Sequence, residues 1–292
     1  IALQIKGVTP DEIASAASVM RKHANKVKIK DTNYLIDTCG TGGDSLQTFN
    51  VSTLSAIVAA AAGAKVAKHG GRSVSSKCGS ADVLEALGVN VNLNHKNLGD
   101  LVDAIGIGFM FAPNYHPAMK FVAPVRKELE VRTIFNLLGP LTNPASAKKQ
   151  IIGVYSKELT LTFAKVLKEL GSDHVLVVHG EDGMDEISIT GNTYVAELKN
   201  NTISEYIINP EMFDLEKGTL ESIVVKDSFQ SKNMILDILK GKSKTGRDII
   251  LLNAGAAIYI SGLAEDIKHG VSIAKDMIEQ GKALEKFNQL IL

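Results

Sequence analysis

Asp37-Thr38-Cys39-Gly40-Thr41-Gly42-Gly43-Asp44, followed by Asn50-Val51-Ser52-Thr53, reads as a strand end, a glycine turn with its own carboxylate, and the polar start of a helix. Glycines permit positive φ and let a ligand come close to the backbone. Successive exposed N–H groups in such a turn form an anion-binding nest. The turn is not a P-loop, because no Gly-Lys-Ser/Thr follows it. It is a poor dinucleotide fingerprint too, since Ser45 stands where a third Gly or Ala belongs. Asp44 would repel a bare phosphate, so the pattern implies a polyanion held through a bridging cation. A plain strand-to-helix turn with a cap is the competing reading. Asn50 or Ser52 would serve as an ordinary N-cap, and the free N–H groups of that helix start also suit an anion.

Strands and helices alternate outward from this turn. Tyr34-Leu35-Ile36 leads into it, and residues 51–62 form an alanine-rich helix closed by Gly63. A second strand at 65–67 runs into a glycine/serine loop at 70–80, then a helix at 81–87, a helix at 98–105 and a strand at 107–111. Upstream, Thr9-Pro10-Asp11-Glu12 is a helix start with a cap, a first-position proline and first-turn acids. Ile13, Ala16, Ala17 and Met20 keep helical spacing. The chain begins at Ile1 inside an amphipathic pattern (Ile1, Leu3, Ile5), which reads as a fragment lacking its first helices. Residues 113–144 break the rhythm with Pro113, Pro117, Pro124, Pro140 and Pro144. The alternation resumes with a strand at 151–155, a helix at 159–170, a strand at 174–178 and a hairpin at 193–198 and 203–208. The remainder is mostly helical, including 248–260. The expected fold class is α/β, a mostly parallel central sheet covered by helices on both faces. Residues 113–144 leave the sheet, join the N-terminal helices and return.

Composition narrows the function classes. Of 292 residues, 45% are hydrophobic and 22% charged, with 32 basic and 32 acidic side chains. Zero net charge gives no bulk attraction to nucleic acid or membrane, so any basic site is local. The two cysteines, Cys39 and Cys78, make neither a disulfide scaffold nor a zinc spacing and suit a reducing, cytoplasmic setting. No run reaches the roughly 18 apolar residues of a membrane span, and no signal peptide is visible.

Three further clusters carry chemistry. Lys68-His69-Gly70-Gly71-Arg72-Ser73-Val74-Ser75-Ser76-Lys77 packs three cations, a histidine and hydroxyls into the loop after the second strand. That composition suits charge-assisted bonds to phosphate. Ser80, expected as the N-cap of the next helix, is a further phosphate candidate. Two anion-suited loops after successive strands form one concave site at the sheet's carboxyl edge. Asp182-Gly183-Met184-Asp185-Glu186 follows the strand at 174–178, and adjacent carboxylates there suit magnesium. In the interrupting segment Asn114, His116, Met119 and Arg126 stand near apolar residues. Arg126 has the fork geometry for a carboxylate or an ion pair, and His116 reads as a structural histidine rather than a base.

Taken together these motifs resemble the anthranilate phosphoribosyltransferases of tryptophan biosynthesis. The resemblance runs nearly end to end, through LQIKGVTPDEI, DTCGTGGD, NVST, KHGGRSVSSKCGSADVLEALG, FAPNYHPAMKFVAPVRKELEVRTIFNLLGPLTNP and HGEDGMDEIS. It implies a small helical domain at 1–31 and 113–147 and an α/β domain at 32–112 and 148–292, related to the pyrimidine nucleoside phosphorylases. It implies a homodimer and transfer of phosphoribose from phosphoribosyl pyrophosphate (PRPP) to the amino nitrogen of anthranilate. Gly40, Gly43, Asp44, Thr48, Asn50, Val51, Ser52, Thr53, Lys68, His69, Gly70, Gly71, Arg72, Ser73, Val74, Ser75, Ser76 and Ser80 would contact PRPP. Gly40, Gly71 and Arg126 would meet anthranilate. Ser52, Asp185 and Glu186, assisted by Asp44, would hold two magnesium ions. No discrete acid or base is expected. Two positions depart from the family pattern: Gly71 stands where the family has Asn in KHGNR, and Cys78 replaces a common Ser. Gly71 makes a nucleoside phosphorylase the alternative reading, with a non-enzymatic nucleic-acid-binding paralogue the third.

Overall fold

The computed structural model describes the chain apart from residues 45, 73–77, 130 and 292 and the side chain of residue 127. Two helices come first, α1 (Ala2–Lys6) and α2 (Pro10–His23). The start of α2 obeys its sequence: the Thr9 hydroxyl accepts from the Glu12 N–H while the Glu12 carboxylate takes the Thr9 N–H, a capping box. Then follow β1 (Leu35–Gly40), α3 (Val51–Ala61), β2 (Lys65–Gly70), α4 (Ser80–Ala86), α5 (His95–Ile105) and β3 (Ile107–Phe111). The proline-punctuated stretch forms α6 (Ala112–Tyr115), α7 (Ala123–Leu129) and α8 (Phe135–Leu138), joined by 3-10 turns at Pro117–Phe121 and Gly139–Leu141. The chain then returns through β4 (Lys149–Gly153), α9 (Glu158–Glu169), β5 (His174–Gly180), β6 (Thr193–Lys199) and β7 (Thr202–Ile208). It closes with α10 (Ser228–Leu239), α11 (Lys244–Ser261), α12 (Ile267–Glu279) and α13 (Lys282–Ile291).

The seven strands form one sheet in the order β3-β2-β1-β4-β5-β6-β7. The first five in that order pair in parallel, and β6 and β7 add antiparallel as the expected hairpin. Asn200 and Asn201, both at positive φ, make the two-residue turn between them. Strand order reverses between β1 and β4. The chain builds outward from β1 to β3 and then places β4 on the other side of β1. A reversal of this kind leaves a crevice at the strands' carboxyl ends.

Period-two alternation sends successive strand residues to opposite faces. Ile151, Leu176 and Val178 join the larger core under α3, α4 and α10–α13. Ile152, Val175 and Val177 meet Phe163 and Leu167 of α9, together with Ile13 and Ala17 of α2 and Leu137, Leu138 and Leu141 from the interrupting segment. α2 and the end of the interrupting segment thus pack together against α9. Two local expectations are corrected. β2 runs on to Gly70 rather than ending at Ala67, because its parallel pairing with β3 continues through Lys68↔Phe109 and Gly70↔Phe111. The N-cap of α4 is Gly79, not Ser80, and the Asp82 carboxylate takes the Gly79 N–H at 2.8 Å.

α11 and α12 cross closely where Gly255 faces Gly270; a Cβ on Gly270 would run into the Gly255 carbonyl. Gly270→Ala is therefore expected to cost about 1–3 kcal/mol by overpacking, measured as a lower urea midpoint with an unchanged slope.

Candidate active site

Gly40 and Gly153 are paired across β1 and β4, at the point where strand order reverses. Asp185 lies over both. A Cβ on Gly40 would stand 2.6 Å from Asp185 Oδ2, and one on Gly153 would collide with the Asp185 carbonyl. The pair therefore clears room for a carboxylate at the head of the crevice. Asp185 Oδ2 accepts from the Gly42 N–H at 2.8 Å, which ties the acidic loop to the glycine turn. Gly42 and Gly43 adopt φ of 65° and 84°, as the turn demands. Gly153 was not singled out from the sequence; a glycine inside an otherwise β-branched strand was the available signal.

Glu186 points to the start of α3, where its Oε1 accepts from the Ser52 N–H at 3.1 Å. The helix terminus suited to an anion is thus partly taken by a carboxylate of the protein itself. Beneath it sits Lys68, buried on the extended β2. Its Nζ donates to the Thr38 carbonyl and, at 3.1 Å, to Ser52 Oγ. Lys68 is therefore an internal cation rather than part of a solvated loop. Burial pulls its pKa down, against the opposing charge of Asp37.

Burial raises the pKa of Asp185, and the charge of Asp44 adds to it. Burial likewise raises Glu186, with Asp185 as the next cause. Three acids crowded above one buried lysine are short of positive charge, and a hard divalent cation would relieve them. Among the described residues no three His, Cys, Asp or Glu side chains converge as a cage. Magnesium is commonly held by one or two carboxylates together with waters and substrate phosphates.

Other expected donor residues have clear placements. Thr48 bridges Val224, and Val51 is packed into the larger core. Asn50 flanks α3 but does not cap it with its side chain. Its Oδ1 accepts from Ser231 Oγ at 2.7 Å and from Cys78 Sγ at 3.1 Å, and its Nδ2 donates to the Cys78 carbonyl. Ser231, far away in sequence on α10, is a positioning contact that no local pattern could reveal. Thr53 is buried, with no described partner for its hydroxyl. Arg72 pairs with Asp82 and Glu85, each at 2.7 Å, and lies over Phe111. Gly70 ends β2, Gly71 follows with no described residue within 4 Å of a Cβ built there, and Ser80 opens α4. Ser73, Val74, Ser75 and Ser76 lie outside the described residues.

The interrupting segment supplies the other wall. Arg126 sits half-buried on α7, 5.8 Å from the Phe135 ring, with no ion pair among the described residues. Asn114 accepts Asn25 Nδ2 at its carbonyl, and Met119 lies in the 3-10 turn after His116. His116 and His69 come together edge to face, with Nε2 atoms 3.2 Å apart. Burial pushes His69 down to about 3 and His116 to about 4, so both rings are neutral at pH 7. Asp37, fully buried on β1, anchors this wall. Its carboxylate accepts the His69 N–H at 3.1 Å and Asn143 Nδ2 at 2.7 Å, while Asn143 also donates to the Ala67 carbonyl. The sequence placed neither the histidine pair nor the Asp37–Asn143 contact.

The fold and this crevice define the class, a glycosyltransferase α/β domain. The model of the family described as "Glycosyl transferase family, a/b domain" matches residues 32–284. The chain is 56% identical over 288 residues to the anthranilate phosphoribosyltransferase of Methylobacillus flagellatus, covering 99% of this chain and 84% of that protein. The crystal structure of the Thermus thermophilus anthranilate phosphoribosyltransferase superposes with a TM-score of 0.94 at 42% identity, over 99% of this chain and 86% of that one. The Saccharomyces cerevisiae enzyme in complex with PRPP and Mg gives a TM-score of 0.90 at 32% identity, over 99% and 82%. The chain belongs to the anthranilate phosphoribosyltransferase family.

Gly40→Ala tests the crevice. The added methyl would stand 2.6 Å from Asp185 Oδ2 and 3.5 Å from the Gly153 carbonyl, so the carboxylate must move off the Gly42 N–H, and the melting temperature should fall slightly while the fold survives. The displaced carboxylate should weaken magnesium binding by about tenfold, the loss of one charged ligand contact worth about 1.4 kcal/mol, measured by isothermal titration.

Proposed function

We propose that this chain transfers phosphoribose from PRPP to the amino nitrogen of anthranilate and releases pyrophosphate, with the donor lying in the crevice between β1 and β4. The observation that carries the reading is the meeting of four separate stretches in that crevice: the turn Gly40–Asp44, the start of α3, buried Lys68 and the pair Asp185-Glu186. The expected donor contacts run from Gly40, Gly43 and Asp44 through Thr48 and Asn50–Thr53 to Lys68–Ser76 and Ser80. Val51 and Thr53, whose side chains are buried, would contribute through their backbone. Ser52, Asp185 and Glu186, with Asp44 beside them, would hold magnesium as two ions. When bound, magnesium supplies positive charge against the pyrophosphate as it departs. Lys68 holds Ser52 in place and adds a fixed cation below the donor.

The fork of Arg126 suits the anthranilate carboxylate, with Gly40 and Gly71 giving close backbone approach. An aromatic amine is neutral at pH 7 and already presents its lone pair, so no strong base is needed. The neutral His69–His116 pair is consistent with that. Catalysis then rests on electrostatic stabilisation of the leaving group and on placing the two reactants together. The helical stretches 1–31 and 113–147 act as the smaller domain and closing wall, crossing near 113–117 and 140–144. We assign the homodimer to that domain and the working compartment to the cytoplasm. No helix among the described residues is long and apolar enough to cross a membrane.

Anthranilate fluorescence should fall only when PRPP, magnesium and the chain are all present, and excess EDTA should stop it. Turnover of thymidine or uridine with phosphate, without loss of anthranilate, would replace this reading with the phosphorylase one. Gly71→Asn is expected to lower the anthranilate KM by about fivefold through one added hydrogen bond of about 1 kcal/mol, with the PRPP KM unchanged. No described residue lies within 4 Å of a Cβ at this position, and steady-state kinetics in both substrates checks the prediction.

A further inference from the structure

Arg132 lies between α7 and α8, on the same segment as Arg126, and the sequence patterns gave it no role. Its Nη2 donates to the Gly43 carbonyl at 2.6 Å, and its guanidinium lies 4.2 Å over the Tyr155 ring. Tyr155 is itself fixed to the turn, since its N–H donates to Thr41 Oγ1 at 3.1 Å. Thr41 in turn donates its N–H to the Gly153 carbonyl at 2.9 Å. The turn is therefore gripped on two edges, at the Gly42 N–H by Asp185 and at the Gly43 carbonyl by Arg132. Glycine suits this position, as its φ is 84° and a Cβ would stand 3.0 Å from Nη2. Among the described residues Arg132 makes no ion pair, so this exposed cation is spent on a neutral carbonyl and an aromatic face.

A turn with two positive-φ glycines has many conformations open to it. Anchoring both edges leaves one, and a site ordered in advance binds its ligand more tightly. The second edge is held by the wall that also carries Arg126, 89 residues away from Gly43 in the case of Arg132. We propose that Arg132 is a positioning residue that clasps the interrupting segment onto the glycine turn, so that the donor turn and the Arg126 side are set together. The proposal rests on the donor and acceptor roles given above for the turn and Arg126.

The test uses Arg132→Met, which keeps length and apolar contact with Tyr155, with Arg132→Lys and Tyr155→Leu beside it. Amide hydrogen exchange of the turn is followed without ligands, and kcat and both KM values with PRPP, magnesium and anthranilate. In Arg132→Met we expect exchange across residues 41–44 to rise about tenfold and the PRPP KM to rise about tenfold, with kcat within about threefold of wild type. Tyr155→Leu should move both readouts in the same direction, and Arg132→Lys should recover part of each. Exchange and PRPP KM within about twofold of wild type in Arg132→Met would overturn the clasp. So would a loss confined to kcat and melting temperature, the mark of a merely structural residue. A wild-type chain without turnover would overturn the proposed function itself, while the exchange result would still decide whether Arg132 orders the turn.

Discussion

The placement of one carboxylate governs this site. Asp185 can lie over the junction of β1 and β4 only because Gly40 and Gly153, paired there, have no side chains. Its grip on the Gly42 N–H then sets the glycine turn, and its neighbour Glu186 reaches the start of α3. A parallel sheet with reversed strand order supplies the crevice, but any such sheet does that. The missing Cβ atoms make this crevice one that admits an acidic loop from β5.

The charge balance inside the crevice follows from that packing. Asp185 and Glu186 are brought close to Asp44 in a half-buried setting, where burial first, and the neighbouring carboxylates next, raise the cost of ionising Asp185 and Glu186. Lys68 compensates in part, and its burial is possible because the Thr38 carbonyl and Ser52 hydroxyl satisfy its ammonium. Arg72, by contrast, is neutralised by Asp82 and Glu85. The cationic loop read from the sequence as one group is thus divided by the fold into an internal lysine and an ion-paired arginine. Asn50 shows the same redirection: a residue with strong N-cap preference turns its amide to Ser231 and Cys78 instead.

Much of the molecule was legible in the chain. The capping box at Thr9–Glu12, the strand–helix alternation, the hairpin and the proline-broken excursion follow from local propensity and periodicity, and the structure contains each of them. The length of β2 and the cap of α4 were misjudged. Pairing with β3 carries the strand past a basic and glycine-rich sequence that has little strand propensity of its own. Asp82 reaching back to the Gly79 N–H shifts the helix start by one residue.

The order of residues specified which chemistry was available: a glycine turn with an acid, a polar helix start, a basic stretch and an acidic pair, each legible because its function depends on neighbours in the chain. How these were joined was settled by the fold. Gly153 beneath Asp185, Ser231 against Asn50, His69 against His116, Asn143 on Asp37 and Arg132 on Gly43 are contacts between residues distant in sequence. Their partners are set by sheet order and by the return of the proline-rich segment to the sheet, and neither leaves a periodic or local trace in the chain.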